Sequence, residues 1–261
     1  MIPRIIHTVW LSGDPYPALV RRCMRSWKRV LPGYELKVWT MQNFDTQSVQ
    51  YVREAVSVRK WAPAADYIRL WALWNYGGIY LDSDVFLRPG FEALLDAEFV
   101  TSIEAAPGSP DIALQAAVLA SVPHHPFVRR CMDYYENRPF ILPDGSYDNS
   151  IAIAPAVFAR MAEPDGFRYE DCKQHLEGGM TVLPSATIAS SLRRVPAECR
   201  AVHCCNGNWN TWVRRSFRQK LYRRSMPLQL ALLDWRSRFR CKQKKAYFCR
   251  NHERRSLSEN R

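Results

Sequence analysis

Long hydrophobic runs are missing from this sequence. Its 261 residues are 47% apolar and 24% charged, and charged side chains interrupt each apolar stretch before it reaches the roughly 18 residues of a membrane-spanning helix. The first residues include Arg4 and His7 and lack the apolar core and small-residue cleavage site of a secretory leader. We therefore expect a globular, cytoplasmic protein that does not cross a bilayer.

Cysteine is also too sparse for a disulfide-stabilised scaffold. The chain has eight cysteines, far below the density of small disulfide-bonded domains, so we expect reduced thiols. Three cysteines and one histidine cluster between 199 and 205, and Cys249 lies near His252. Paired C-x₂-C knuckles are missing, so a structural zinc site is not favoured.

Acidic residues are scarce at one end of the chain. Residues 213–261 contain 16 Lys and Arg but three acidic residues, whereas residues 1–212 contain 21 basic and 22 acidic residues. The formal net charge of +12 therefore belongs to the C-terminal segment. We predict a nearly neutral domain over 1–212 and a basic extension over 213–261.

The basic extension contains a helical pattern. Within Pro227–Arg240, apolar side chains recur at helical spacing among arginines, at Leu228, Leu232, Trp235 and Phe239. This pattern predicts a basic amphipathic helix. The helix could pack on the domain or lie on an anionic membrane surface. A nucleic-acid partner is not expected, because no nucleic-acid-binding fold signature accompanies the charge.

Alternating helical and strand patterns in the first part of the chain predict an α/β fold. The predicted strands cover 4–10, 34–39, 79–81, 85–87, 99–103, 180–183 and 201–203, and the predicted helices cover 17–30, 48–59, 64–76, 91–95, 127–136 and 151–161. Gly77 and Gly78 separate the third helix from the third strand.

Acidic side chains follow directly after that third strand. Asp82 and Asp84 would point to one face in an extended segment, at the sheet edge where open α/β sheets bind ligands. Carboxylates suit Mg²⁺ or Mn²⁺ bound to a diphosphate. On the preceding helix, Asp66 and Arg69 share one face. Arg69 could bind phosphate and Asp66 sugar hydroxyls, the alternative being an exposed intrahelical ion pair.

The segment Ala65–Asp84 (ADYIRLWALWNYGGIYLDSD) resembles the signature of the DXD-containing sugar transferases of glycosyltransferase family 32. Three further blocks are similar to that family in the expected order: Ile2–Trp10, Ser26–Asp45 and Ala201–Trp209. The resemblance implies a GT-A fold, in which a Rossmann-like nucleotide-binding half joins an acceptor half. It also implies dependence on Mn²⁺ or Mg²⁺ and retention of anomeric configuration.

The resemblance further implies roles for individual residues. Asp84 matches the direct metal ligand, Asp82 the ribose, sugar and metal contact, and Asp66 and Arg69 the pair that binds donor sugar and diphosphate. We expect these four to form the catalytic centre. His203 matches a histidine that reaches the metal or diphosphate.

The resemblance assigns binding of the nucleobase and closure of the donor site to other residues of the matching blocks. Trp10 resembles the aromatic residue on which the base stacks, and Trp209 the one that closes over the donor. His7, Asn43 and Asn206 are predicted donor-site residues. Many family members have a second histidine or a Ser-Trp ending at positions where this chain has Cys204 and Asn208.

These observations predict a metal-dependent, retaining transferase that moves a hexose from a nucleotide sugar, expected to be a UDP-hexose. Its acceptor would be a glycan or lipid-linked glycan in polysaccharide or capsule synthesis, and the basic extension could hold it at the inner membrane face. One alternative is a haloacid dehalogenase-type phosphatase with Asp82 as nucleophile, although Lys173 is the only lysine between residues 88 and 212. The other is a basic nucleic-acid- or membrane-binding module.

Overall fold

The computed structural model describes residues 1–105, 112–148, 153–192, 195–205, 216 and 219–235. Its strands are β1 (Ile5–Val9), β2 (Glu35–Trp39), β3 (Gly78–Leu81), β4 (Val85–Leu87), β5 (Phe99–Ala105), β6 (Ile112–Leu114), β7 (Val118–Ser121), β8 (Gln174–Leu176), β9 (Met180–Leu183), β10 (Ile188–Ala189) and β11 (Ala201–His203). The helices are α1 (Ala18–Val30), α2 (Gln50–Ser57), α3 (Trp61–Tyr76), α4 (Pro126–Glu136), α5 (Ala154–Ala162) and α6 (219–235).

The main sheet begins with three parallel strands. β1 pairs with β2 on one side and β3 on the other, and α1 and α2–α3 connect them. β7 follows antiparallel to β3, and β5 follows antiparallel to β7. The strand order within the described residues is β2-β1-β3-β7-β5-β9-β8, and β6 pairs with β5. The parallel, Rossmann-like half and the mixed strands beyond it confirm the predicted α/β, GT-A type fold.

Helix α3 lies against this sheet and is mostly buried. The sequence pattern predicts that the helix begins at Ala64, but in the structure it begins at Trp61. Pro63 is tolerated because the first turn of a helix contains N–H groups without intrahelical partners. Ile68 and Leu73 belong to the core shared with α2 and α4. Their burial fixes the rotation of α3 and therefore the direction of its polar face.

A two-glycine turn connects α3 directly to β3. Gly77 and Gly78 have φ values of +61° and +98°. A Cβ at Gly78 would lie 2.6 Å from the carbonyl oxygen of Ile5, and one at Gly77 would lie 2.7 Å from Cδ of Pro123. Glycine is therefore required at both positions. The tight turn brings the C-terminal end of β3 back alongside α3.

A small second sheet has the order β10-β11-β4. β11 is antiparallel to β4, which sets His203 opposite Val85. Helix α1 covers this region, where Trp27 Nε1 donates to the Val85 carbonyl at 2.7 Å. The two sheets therefore meet at the turn between β3 and β4.

Helix α6 packs against α1 and a second core, which contains Trp27 of α1 and Ile79 and Leu81 of β3. Met226 and Leu230 are buried there, and Arg29 pairs with Asp234 at 2.8 Å. The predicted helix is thus confirmed over 227–235, but it starts earlier, at 219, and Phe239 lies outside the described residues. Among the described residues, none of the helices combines the length and the apolar character that crossing a membrane requires.

Candidate active site

Asp82, Asp84 and His203 meet where the two sheets join. His203 Nε2 lies 3.4 Å from an Asp84 oxygen and 3.9 Å from an Asp82 oxygen. One ligand atom from each residue falls within 4.8 Å of the other two, and this is the only such His, Cys, Asp or Glu group found in the described parts of the chain. Cysteines 199, 204 and 205 form no such group there, and Cys249 and His252 lie outside the described residues.

A turn, and not an extended strand, brings the two carboxylates together. β3 ends at Leu81, and the N–H of Val85 donates to the carbonyl of Asp82 at 2.9 Å. The prediction that both aspartates share a strand face is therefore wrong in its geometry, although the side chains do converge. Two carboxylates and one imidazole suit Mn²⁺, which accepts both oxygen and nitrogen ligands.

Asp82 faces α3 because it continues the alternation of β3. Tyr80 belongs to the core on the α3 side, whereas Ile79 and Leu81 belong to the opposite core. The Tyr80 hydroxyl donates to Asp82 Oδ1 at 2.6 Å. The period of two in a strand therefore directs the Asp82 side chain toward Arg69.

Arg69 connects the helix to the acidic turn. Its guanidinium lies 2.7 Å from Asp66 and 3.6 Å from Asp82, and it donates to the Ala116 carbonyl at 2.6 Å. Although burial alone would lower the pKa of Arg69, the neighbouring Tyr80, Asp82 and Asp66 hold it above its ordinary value. Arg69 is therefore a fixed positive charge with only 4% exposure.

Asp66 is a carboxylate with a perturbed pKa. Burial raises the pKa of Asp66 from 3.8 to about 6, because Arg69 only partly offsets the loss of water and Asp82 adds to the increase. The ion pair at 2.7 Å would by itself lower the pKa, but Arg69 divides its charge between two aspartates. The predicted alternative of an exposed helical ion pair is wrong, because both side chains are largely buried.

His203 is oriented from both ring nitrogens. Nδ1 lies 3.5 Å from the Cys205 sulfur, whose thiol donates to the Ser190 carbonyl at 3.2 Å. Nε2 then faces the two carboxylates, as a metal ligand must. Burial lowers the pKa of His203, but Asp84 and Cys205 outweigh it and hold this pKa well above the ordinary value.

Glu104 is a site residue that the sequence analysis missed. It lies near the end of β5 and is half-buried. Burial and the charge of Asp82 raise the pKa of Glu104, whereas His203 and Arg69 lower it. Glu104 therefore interacts electrostatically with the residues of this site. An acidic residue at the end of a buried strand was the available signal, but the pairing of β5 with its neighbours could not be predicted from the sequence.

A cavity of about 340 Å³ opens beside Trp10 at the end of β1. Trp10 packs edge-on against Tyr16 at 5.0 Å between ring centroids, and its Nε1 donates to the Asp14 carbonyl at 2.8 Å. The residues that line the cavity are Trp10, Leu11, Gly13, Asp14, Pro15, Tyr16, Thr40 and Gln42. Its walls therefore come from the segments after β1 and β2, at the edge where α/β sheets bind ligands.

Two predicted donor-site residues, His7 and Asn43, form hydrogen bonds within the protein. His7 is fully buried: Nε2 donates to the Gly77 carbonyl at 2.8 Å, and Nδ1 accepts from Trp39 Nε1 at 3.3 Å. Burial lowers the pKa of His7 to about 4, so it is neutral and braces the glycine turn, which corrects its predicted role. Asn43 is exposed, and its amide binds the backbone of Val38 and Thr40.

The two remaining predicted donor-site residues, Asn206 and Trp209, lie outside the described residues. The same is true of residues 106–111, which follow Glu104. The described part of the site is therefore formed by α3, the β3–β4 turn, β5 and β11.

Residues 17–100 match the family described as glycosyltransferase sugar-binding region containing DXD motif. Over 105 residues the chain is 29% identical to an uncharacterized glycosyltransferase, L373, of Acanthamoeba polyphaga mimivirus, covering 38% of this chain and 42% of the relative. Over 131 residues it is 28% identical to inositol phosphoceramide mannosyltransferase 2 of Schizosaccharomyces pombe, covering 49% and 36%. The matches thus span less than half of these curated relatives.

Solved structures of glycosyltransferases are also similar. One is a glycosyltransferase involved in the glycosylation of the major capsid of PBCV-1, with 15% identity, a TM-score of 0.48 and coverage of 86% of this chain and 98% of that one. Another is the PaToxG glycosyltransferase, with 16% identity, a TM-score of 0.46 and coverage of 63% and 70%.

The family match covers the part of the chain that contains α3, the two-glycine turn and both DXD aspartates. The predicted resemblance to the DXD-containing sugar transferases is thereby confirmed over residues 17–100, which are similar to the DXD-containing sugar-binding region of glycosyltransferases.

Proposed function

We propose that this protein is a metal-dependent, retaining glycosyltransferase that moves a hexose from a nucleotide sugar, specifically a UDP-hexose, to a glycan or lipid-linked glycan. The observation that carries the proposal is the meeting of Asp82, Asp84 and His203 beside the buried Arg69–Asp66 pair. One face of this group supplies ligands for a divalent cation, and the other supplies a fixed positive charge.

Asp82, Asp84 and His203 would hold Mn²⁺, or Mg²⁺ with more water ligands. When bound, the ion supplies positive charge that stabilises a departing diphosphate. Asp84 and His203 lie nearest to each other, whereas Asp82 also accepts a hydrogen bond from Tyr80. Asp84 and His203 would therefore chiefly hold the ion, and Asp82 would help to hold it and would also contact the donor sugar.

Arg69 would stabilise the diphosphate, and Asp66 would accept hydrogen bonds from the donor sugar. Arg69 is fixed by the Ala116 and Ala65 carbonyls as well as by Asp66. A charge held in advance needs little rearrangement when the glycosidic bond breaks. We propose that Asp66, Arg69, Asp82 and Asp84 form the catalytic centre.

The nucleobase would bind in the cavity beside Trp10. The half-buried rings of Trp10 and Tyr16 line this cavity and would offer a stacking surface, and Thr40 and Gln42 would offer polar groups to the base. Asn43 would act by shaping this turn, Asn206 would contact the donor, and Trp209 would close over it. Retention fits front-face attack, in which the acceptor enters on the side that the diphosphate leaves.

We also propose that residues 1–212 form the transferase domain and that residues 213–261 hold it at the cytoplasmic face of an anionic membrane. A lipid-linked acceptor in polysaccharide or capsule synthesis would be available there. The 16 basic and three acidic residues of this segment support the location.

The phosphatase alternative is not favoured by the position of the only lysine between residues 88 and 212. Lys173 is exposed and directly precedes β8, which is four strands from β3 in the main sheet. At about 4.8 Å per strand this separation is on the order of 19 Å, too far to assist Asp82.

Binding and hydrolysis of UDP-, GDP- and CMP-hexoses would test the proposal. We expect a UDP-hexose to raise the melting temperature in the presence of Mn²⁺ and to be hydrolysed slowly without acceptor. Asp84→Asn should lower this hydrolysis by roughly 10²-fold, because an electrostatic contribution to leaving-group stabilisation is lost.

The matched control is Asp133→Asn, which changes an exposed carboxylate paired with Arg129 on helix α4. It should leave hydrolysis unchanged. Failure of all three donors to stabilise the protein, or wild-type hydrolysis by Asp84→Asn, would refute the proposal.

A further inference from the structure

Helix α6 has apolar side chains on two opposite faces. On the inner face, Met226 and Leu230 are 2% and 0% exposed and pack on the second core. On the other face, four large apolar side chains are 51% to 65% exposed: Leu221, Leu228, Leu232 and Trp235. We call these four residues the outer stripe. The helix therefore fulfils its packing requirement without them.

The outer stripe is one continuous surface. Its members are separated by seven, four and three residues, spacings that place side chains on one side of a helix. They are four of the nine large apolar side chains exposed in the described part of the chain, and the other five are scattered over separate elements. A concentration of this kind marks an interaction surface.

Positive charge lies beside the outer stripe. Arg224 is exposed and lies between Leu221 and Leu228 on the same side of the helix, and Lys220 is exposed at its start. An apolar stripe with arginine and lysine beside it suits the boundary between anionic headgroups and acyl chains. A second copy of this chain would bring the same positive charge, and nucleic acid would leave the leucines in water.

We propose that the outer stripe of α6 is the surface that docks on an anionic lipid membrane. The inference rests on the proposed membrane location and assigns it to one helix face. The inner face, together with the ion pair between Arg29 and Asp234, fixes α6 to the transferase domain. Binding to the membrane would thus orient the whole domain and would not merely tether it.

Sedimentation with vesicles tests this assignment on the full chain. We expect binding to phosphatidylcholine vesicles that contain phosphatidylglycerol, weak binding to pure phosphatidylcholine, and release at high salt. The double substitution Leu228→Asp and Leu232→Asp should weaken binding by about tenfold or more, because both apolar contacts are lost and negative charge is added. Ile153→Asp, at an apolar residue that is 57% exposed on another element, should bind like the wild type.

The outcomes separate this inference from the proposed enzymatic function. The double variant should hydrolyse donor in solution at the wild-type rate. Undiminished vesicle binding by the double variant would overturn the assignment, because the remaining basic residues would then suffice. Absence of vesicle binding by the wild-type protein would also overturn the assignment, whether the protein is monomeric or self-associates through the outer stripe. Vesicle binding without any donor hydrolysis would refute the enzymatic function alone.

Discussion

At the scale of single residues, the site depends on how one buried arginine divides its charge. Arg69 contacts Asp66 and, less closely, Asp82. Because the guanidinium charge is shared between the two carboxylates, it only partly stabilises the ionised form of Asp66. Burial therefore raises the pKa of Asp66 by more than Arg69 lowers it. The folded protein binds a proton at Asp66 at a pH where the unfolded chain has released it.

This proton uptake has a definite sign for stability. Because the folded pKa of Asp66 is about 6 and the ordinary value is 3.8, the contribution of Asp66 to the free energy of unfolding decreases as pH rises through that interval. The difference is on the order of 3 kcal/mol. Donor binding should change in the opposite direction, because the carboxylate needed to accept sugar hydroxyls is lost as pH falls below about 6.

Urea unfolding at pH 4.5 and pH 7 and donor KM across the same interval measure both effects. Asp66→Asn should remove the Asp66 component of the stability change and should raise the donor KM at neutral pH. A donor KM that rises below pH 6 to the same degree in Asp66→Asn would assign the titration to another group.

The sequence predicted the acidic part of this site well because Asp66, Arg69, Asp82 and Asp84 lie within one continuous segment. Their relation depends on helix and strand periods and on one tight turn, which are local properties. His203 could be included only through the order of matching blocks. Glu104 was missed, and His7 was assigned wrongly, because their surroundings depend on contacts between distant segments.

At the scale of elements, the helices and seven of the strands were predictable, but four short strands were not. Strands β6, β7, β8 and β10 contain two to four residues each, too few to show a period. β7 nevertheless pairs with both β3 and β5, so the unrecognised strand lies at the centre of the main sheet. Pairing partners supply the stability of such strands, and these partners are distant in sequence.

The turn between α3 and β3 should be intolerant of any side chain. Gly78→Ala should lower the free energy of unfolding by more than the roughly 1–2 kcal/mol expected for an unfavourable positive φ, because its Cβ would also lie 2.6 Å from the Ile5 carbonyl oxygen. Gly166→Ala is the matched control, since Gly166 has φ +91° and open space around it. Urea unfolding of both variants measures the difference, and equal losses would show that the close approach to β1 is unimportant.

At the scale of the whole molecule, the proposed metal site lies where two sheets join. Asp82 and Asp84 lie between β3 of the main sheet and β4 of the small one, and His203 comes from β11. A cation held by all three would therefore bind the folded chain and not the unfolded one, and it would resist separation of the sheets.

Manganese should accordingly stabilise the fold. At a concentration about 100-fold above its Kd, Mn²⁺ should add about 2.7 kcal/mol to the free energy of unfolding, and EDTA should reverse the effect. His203→Ala should lose most of this stabilisation, whereas His175→Ala, at an exposed histidine on β8, should retain it. The measurement is thermal unfolding with and without Mn²⁺, and equal shifts in the two variants would contradict the ligand assignment.

The antiparallel pairing of β11 with β4 also has a consequence for biosynthesis. A ribosome releases the DXD aspartates long before the histidine that faces them, since 118 residues separate Asp84 from His203. A nascent or proteolytically shortened chain that ends before β11 therefore contains the sugar-transferase signature without the third ligand. Transfer activity would thus require that translation has passed β11, and fragments that retain only the signature would have no transfer activity.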